Sequence, residues 1–220
     1  MNLYHGTSYS AYQQILKDGM IKPRGKSPGV WDIENTASHP NMVYFSGGYK
    51  PTVNFHALHA AHLVGDDKCV IIEVESDYLD ASCFRVDENF LDLEKRGAIA
   101  NCPALEREAQ RSAAYTDVRW MQSLAVVGLC AYANIVPQIT FTNITIVKNE
   151  DNPCWREEMV NIPNDRIARA RYWNKFLSDE VWWINEVDNW ADMPDGIAWL
   201  ESQGNRYATM AERMKKRNIF

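Results

Sequence analysis

A chain of 220 residues with 46% hydrophobic and 24% charged side chains has the composition of a folded globular protein, large enough to bury its own core. That excludes disordered and fibrous classes, and a net charge of −6 argues against a generic nucleic-acid coat. The longest apolar stretch, Leu124 to Val136, is 13 residues with Gly128 and Asn134 inside it, too short to span a bilayer.

The opening residues, MNLYHGTSYS, lack a charged segment followed by an apolar one, so no secretory leader is expected. The five cysteines (Cys69, Cys83, Cys102, Cys130 and Cys154) are odd in number and never spaced as CxxC. They read as reduced thiols, and the expectation is a cytoplasmic protein without a disulfide frame or zinc site. Charge is unevenly laid out. Residues 1–50 carry five Lys or Arg against three Asp or Glu, whereas residues 66–110 carry twelve acids against five bases. A mildly basic start facing an anionic ligand is the functional reading; a solvated surface is the plain one.

In chain order, Leu3-Tyr4 opens a strand at once. Ser8 or Ser10 caps a helix through Ala11 to Lys17, closed by Asp18-Gly19. Lys22 to Gly29 is a loop by its Pro and Gly content. Asn41 to Ser46 is a short strand broken at Gly47-Gly48. Thr52 to Val64 has helical periodicity and no breaker. Lys68 to Val74, β-branched and apolar, is a buried strand. Residues 76–118 read as acidic loop with short helices, one of them Glu106 to Ala114. Ser123 to Val136 reads as strand bent near Gly128, and Ile139 to Lys148 alternates as another strand. Beyond Pro153 the texture turns helical and takes six of the eight tryptophans. The organisation expected is therefore α+β over residues 1–152, followed by a Trp-rich helical extension over 153–220 packed on it.

The sharpest local signal is Tyr4-His5-Gly6-Thr7-Ser8 at a strand end. It joins an imidazole, a bare backbone and small hydroxyls. Glycine lets a flat ligand approach the main chain, and the imidazole can bond a sugar hydroxyl. A strand-ending turn with a buried histidine is the plain alternative.

The ordered set LYHGTS, ILKDGMIKPRG and MVYFS resembles the diphtheria-toxin-like branch of the ADP-ribosyltransferase superfamily. That branch includes the poly-ADP-ribose polymerases, rifampicin transferases, DarT-type toxins and RNA 2′-phosphotransferases. The resemblance covers roughly residues 1–147. It implies a split β-sheet core that binds NAD⁺ as co-substrate. In this reading His5 bonds the ribose, Gly6 holds the carboxamide through its backbone, and Thr7 supports the adenosine side. Tyr44 stacks on the nicotinamide, whose cationic ring suits an aromatic face. At the spacing of the polymerases' carboxamide hydroxyl and second aromatic wall stand Thr52 and Phe55, three apart on one helix face. For Phe55, plain core packing is the alternative. Arg24, in the positive loop with Lys22 and Lys26, has the fork that matches pyrophosphate oxygens; a solvent-exposed loop cation is the alternative.

The family's third motif places a Glu, sometimes Asp or Gln, at a strand head, where it steers the acceptor. The run Ser123 to Gly128 resembles such a strand, with Gln122 before it. Glutamine can bond a ribose hydroxyl but carries no charge and cannot act as a base, so polymer synthesis is not expected. Asp117 and Glu108 are the other candidates. The resulting expectation is a mono-ADP-ribosyltransferase, of the kind that serves as bacterial toxin or phage effector, with a protein, nucleotide or small-molecule acceptor and no membrane partner. An RNA 2′-phosphotransferase and a non-catalytic NAD or ADP-ribose-binding module are the alternatives.

No metal is expected. His56, His59 and His62 are spaced by three on a helix, and their outer members diverge by about 120°. There is no Walker or GxGxxG motif. Glu73 and Glu75 read as the solvated side of a strand, and the C-terminal tryptophans as core anchors.

Overall fold

The computed structural model describes residues 1–25, 38–47, 50–96, 104–152 and 154–155. Strand β1 (Asn2–Ser8) runs directly into helix α1 (Tyr9–Asp18). The switch is local chemistry. Ser8 Oγ accepts the Ala11 amide at 3.2 Å, satisfying one of the first-turn donors. Gly19, at φ 68°, closes the helix by sending its N–H to the Ile15 carbonyl. A short strand β2 (Met20–Ile21) follows, then β3 (Val43–Ser46), α2 (Lys50–Val64) and β4 (Lys68–Glu75). The acidic middle contains β5 (Phe84–Val86), α3 (Glu88–Arg96) and α4 (Ala104–Thr116). Helix α5 (Trp120–Val127), β6 (Leu129–Tyr132), β7 (Val136–Pro137) and β8 (Phe141–Lys148) complete the described elements.

Six strands form one sheet in the order β5-β6-β3-β1-β4-β8, and β2 pairs with β7 beside it. All these pairings are antiparallel. One face carries the larger core. Leu3, Phe45, Ile72, Val74, Phe84 and Tyr132 meet Tyr12 and Ile15 of α1 there. On the other face Ala57 and Ala61 of α2 cover Cys69, and a second cluster around Ala131 and Leu129 is closed by Phe90 of α3 and Ala114 of α4.

The central strand β1 is held unequally. It pairs with β4 along seven positions, Asn2↔Glu75 to Ser8↔Cys69. With β3 it shares the single pair Tyr4↔Ser46. Past that pair the ladder between β1 and β3 ends, leaving an opening in the hydrogen-bonded sheet that the His5 ring bridges.

The mixed α and β composition and most expected elements are present. One expected strand is corrected. Ser123 to Val136 is not a bent strand: its first part lies in α5, and only Leu129–Tyr132 and Val136–Pro137 are extended. The apolar run Leu124 to Val127 carries no periodicity that separates helix from strand. Gly128 decides, since its φ of 72° caps the helix and its N–H bonds the Leu124 carbonyl. The acidic stretch expected as loop with short helices holds those helices and also strand β5.

The helical extension expected over 153–220 falls outside the described residues except at Cys154 and Trp155. The chain is anchored up to that point: Asn152 Nδ2 donates to the Asn54 carbonyl at 3.1 Å, and the Cys154 amide donates to Asn152 Oδ1 at 2.9 Å. Among the described residues no helix is long and apolar enough to cross a membrane.

Candidate functional site

Two of the sequence-predicted residues touch at the opening between β1 and β3. His5 Nδ1 lies 3.0 Å from the Tyr44 carbonyl oxygen. A carbonyl only accepts, so Nδ1 carries the proton. Burial lowers the His5 pKa, opposed by that bond, so the ring is neutral at pH 7. A neutral ring donating at Nδ1 has an acceptor at Nε2.

His5 and Tyr44 do not line one wall. From the pair Tyr4↔Ser46, strand alternation puts His5 with Phe45 on one face, and Gly6 and Tyr44 on the other. The ring contacts agree: His5 meets Phe45 edge-on at 6.2 Å, and Tyr44 packs against the cluster of Phe90, Leu129 and Ala131. The two residues converge at the opening from opposite sides. Gly6 stands across from Tyr44 on the same face. Its bare Cα has a packing reason besides any ligand, because a Cβ there would sit 2.7 Å from both the Val53 carbonyl oxygen and the Ala57 nitrogen of α2.

Tyr44 leads to a residue that the sequence reading passed over. Its hydroxyl donates to Glu88 Oε1 at 2.6 Å. The His39 amide donates to both partners, at 2.7 Å to the Tyr44 oxygen and 2.8 Å to Glu88 Oε1. Glu88, at 1% exposure, is the first residue of α3, where the helix N-terminus favours a negative charge. Burial and the neighbouring carboxylate push the Tyr44 phenol well above its ordinary range. The same two causes raise Asp87 to about 7. Asp87 caps α3 by accepting the Asn89 amide at 2.8 Å, and its own amide bonds Ser123 Oγ. The available signal was the order strand-Asp-Glu in Phe84 to Glu88: an apolar triplet, then a capping residue, then an acid in the first turn.

The segment around His39 gathers further groups. Its ring stacks on Tyr115 of α4, with centroids 4.5 Å apart and planes at 16°. Burial lowers its pKa, and the Arg111 and Arg24 guanidiniums push the same way. Arg24 donates to the Ser38 carbonyl at 2.9 Å, so it braces the stretch leading into β3.

The remaining expected residues are placed as follows. Thr7 is buried in β1 opposite Val70. Phe55 is buried in α2, its ring near those of His56 and His59, which is the core-packing alternative. Thr52 lies in the first turn of α2, and its side chain falls outside the described residues. Gln122 is corrected: it is exposed on helix α5, not at a strand head, because Gly128 turns the chain into β6 only after Val127. Asp117 is tied to Arg119 at 2.6 Å, and Glu108 pairs with Arg111 on an exposed helix surface. Burial and the His5 ring hold His56 down to about 4, and burial with its histidine neighbours holds His59 well below the usual range. Among the described residues no group of three or more His, Cys, Asp or Glu is arranged to hold a metal ion.

The arrangement offers a neutral imidazole acceptor, a clamped phenol and a buried carboxylate around one break in a sheet. No family model, curated protein or solved structure matches the chain.

Proposed function

We propose that the chain is a mono-ADP-ribosyltransferase that binds NAD⁺ at the opening between β1 and β3 and passes ADP-ribose to an acceptor. One observation carries this reading. An imidazole, a tyrosine and a carboxylate from three distant segments are linked, His5 to the Tyr44 carbonyl and the Tyr44 hydroxyl to Glu88. A split beside the first strand is also what the resemblance of the YHGTS and VYFS motifs implies.

In this reading the ribose of NAD⁺ bonds His5 Nε2 while the nicotinamide lies against the Tyr44 ring. The acceptor's nucleophile attacks C1′ of the nicotinamide ribose. The C1′–N bond breaks, nicotinamide leaves with the bonding pair, and the acceptor loses its proton to solvent. With Glu88 enclosed and Gln122 exposed on helix α5, this chain supplies orientation more than acid–base chemistry, and the acceptor supplies the nucleophile.

That enclosure favours a second reading, a module that binds NAD⁺ or ADP-ribose without turnover. Purified protein incubated with NAD⁺ labelled in the nicotinamide separates the two. Release that is lost in His5→Ala supports the transferase; tight binding without release supports the module. Release unchanged in His5→Ala removes the site assignment. Mass analysis of extract components after incubation with adenine-labelled NAD⁺ names the acceptor class.

A further inference from the structure

We propose that Glu88 is a positioning residue, whose enclosed carboxylate fixes the Tyr44 ring at the opening between β1 and β3. The functional half of this inference rests on the reading of that opening as a nucleotide site; the structural half does not.

Tyr44 needs a clamp. Strand β3 is bonded along four positions to β6 but at one position to β1, so the side of the strand facing the opening lacks a continuous partner. The side chain is held at its far end instead. Its hydroxyl is both donor and acceptor, giving its proton to Glu88 Oε1 and taking the His39 N–H. The His39 amide also bonds Glu88, so the three groups close a ring of hydrogen bonds. Both of the Glu88 bonds fall on Oε1.

A carboxylate is an expensive way to fill this space. The groups bonded to Glu88 are neutral, and what favours a charge there is the N-terminus of α3. Enclosing a carboxylate among neutral donors costs free energy that an apolar residue of similar size avoids. Packing alone therefore does not account for it. An acceptor oxygen aimed at one phenol does, since the Tyr44 O–H and the His39 N–H both end on Oε1. Glu88 acts through Tyr44; it is not placed to touch the reacting atoms.

The test uses the full chain labelled with 3-fluorotyrosine, the residue 44 signal being assigned by its loss in Tyr44→Phe. In fluorine NMR, Glu88→Ala is expected to broaden or split that signal. Glu88→Gln, which keeps an acceptor oxygen at the same reach, is expected to restore one narrow line. In nicotinamide release, Glu88→Ala is expected to lower kcat/KM by about a hundredfold, mostly through KM, with Glu88→Gln recovering most of it. A residue 44 line in Glu88→Ala as narrow and unshifted as in the parent protein overturns the proposal, as does failure of Glu88→Gln to restore it. If Glu88→Ala does not fold, Tyr44→Phe in protein labelled with 4-fluorophenylalanine reads the unclamped ring directly; a single ordered line there overturns the clamp. A parent protein that neither releases nicotinamide nor binds NAD⁺ sinks the nucleotide reading, while the NMR result still decides the clamp.

Discussion

The two flanks of β1 are built differently. On one side β4 is bonded along most of its length to both β1 and β8, and Leu3, Val70, Ile72 and Val74 are fully enclosed. On the other side β3, β6 and β5 are shorter, and Asp87, Glu88, Asp92, Arg107, Gln110 and Ser123 are buried behind them. The first flank is held by ladder bonds and apolar area, which tolerate small changes. The second is held by polar groups that must all be satisfied, since a half-satisfied buried network is worse than an apolar core. The opening and its linked residues lie between the two. The candidate site borrows its rigidity from the first flank and its chemistry from the second.

Substitutions can break or sharpen this contrast. The largest loss is expected on the polar flank at Arg107→Ala. Arg107 bonds Asp92 at 3.3 Å, and both are almost wholly enclosed. Removing the cation takes the charge partner from a buried carboxylate that keeps the Gln110 amide, at a cost of about 3–5 kcal/mol, readable by urea denaturation. Gly6→Ala comes next and probes the apolar side, where the new Cβ would press on the backbone of α2 rather than on a flexible side chain. A loss of about 3 kcal/mol is expected from the same measurement. If Gly6→Ala cost more than Arg107→Ala, the ranking of the flanks would be reversed.

Ser8→Ala removes the cap that turns β1 into α1 and should cost about 1 kcal/mol in thermal or urea unfolding. The last effect is a slope. Asp87 titrates at about 7 in the fold, against about 4 in an unfolded chain. Between those values the folded chain holds a proton that the unfolded chain has lost. The stability this group contributes is therefore complete below about pH 4 and falls as pH rises to about 7. Asp87→Asn should remove that fall, so its stability relative to the parent should rise across this range and level off above it. A gap that stays constant with pH would contradict the raised titration.

The apolar flank was largely legible in the sequence. Ser8, Asp18-Gly19 and the β-branched run Lys68 to Val74 carry local signals that tertiary structure did not override. The polar flank was not. Leu124 to Val127 is apolar without period, and its helical state rests on the positive φ of Gly128, which a sequence does not print. Gln122 followed that misreading. Glu88 was hidden because acids in an acidic stretch look solvated. Its partners lie 44 and 49 residues away, and only the pairing of β5, β6 and β3 brings them together. His5 and Tyr44 were named together from their motifs, but that their side chains lie on opposite faces depends on the register of a single strand pair.

Residue 39 belongs to no helix or strand, yet its N–H is donated inward to two enclosed oxygens and its ring leans on α4. Connections ordinarily trade their amide protons with water quickly. This one should trade as slowly as the middle of a central strand, because releasing it requires the phenol, the carboxylate and the helix to part together. Deuterium uptake at that position would then report the cooperative opening of the molecule, from a place in the chain that looks like loop.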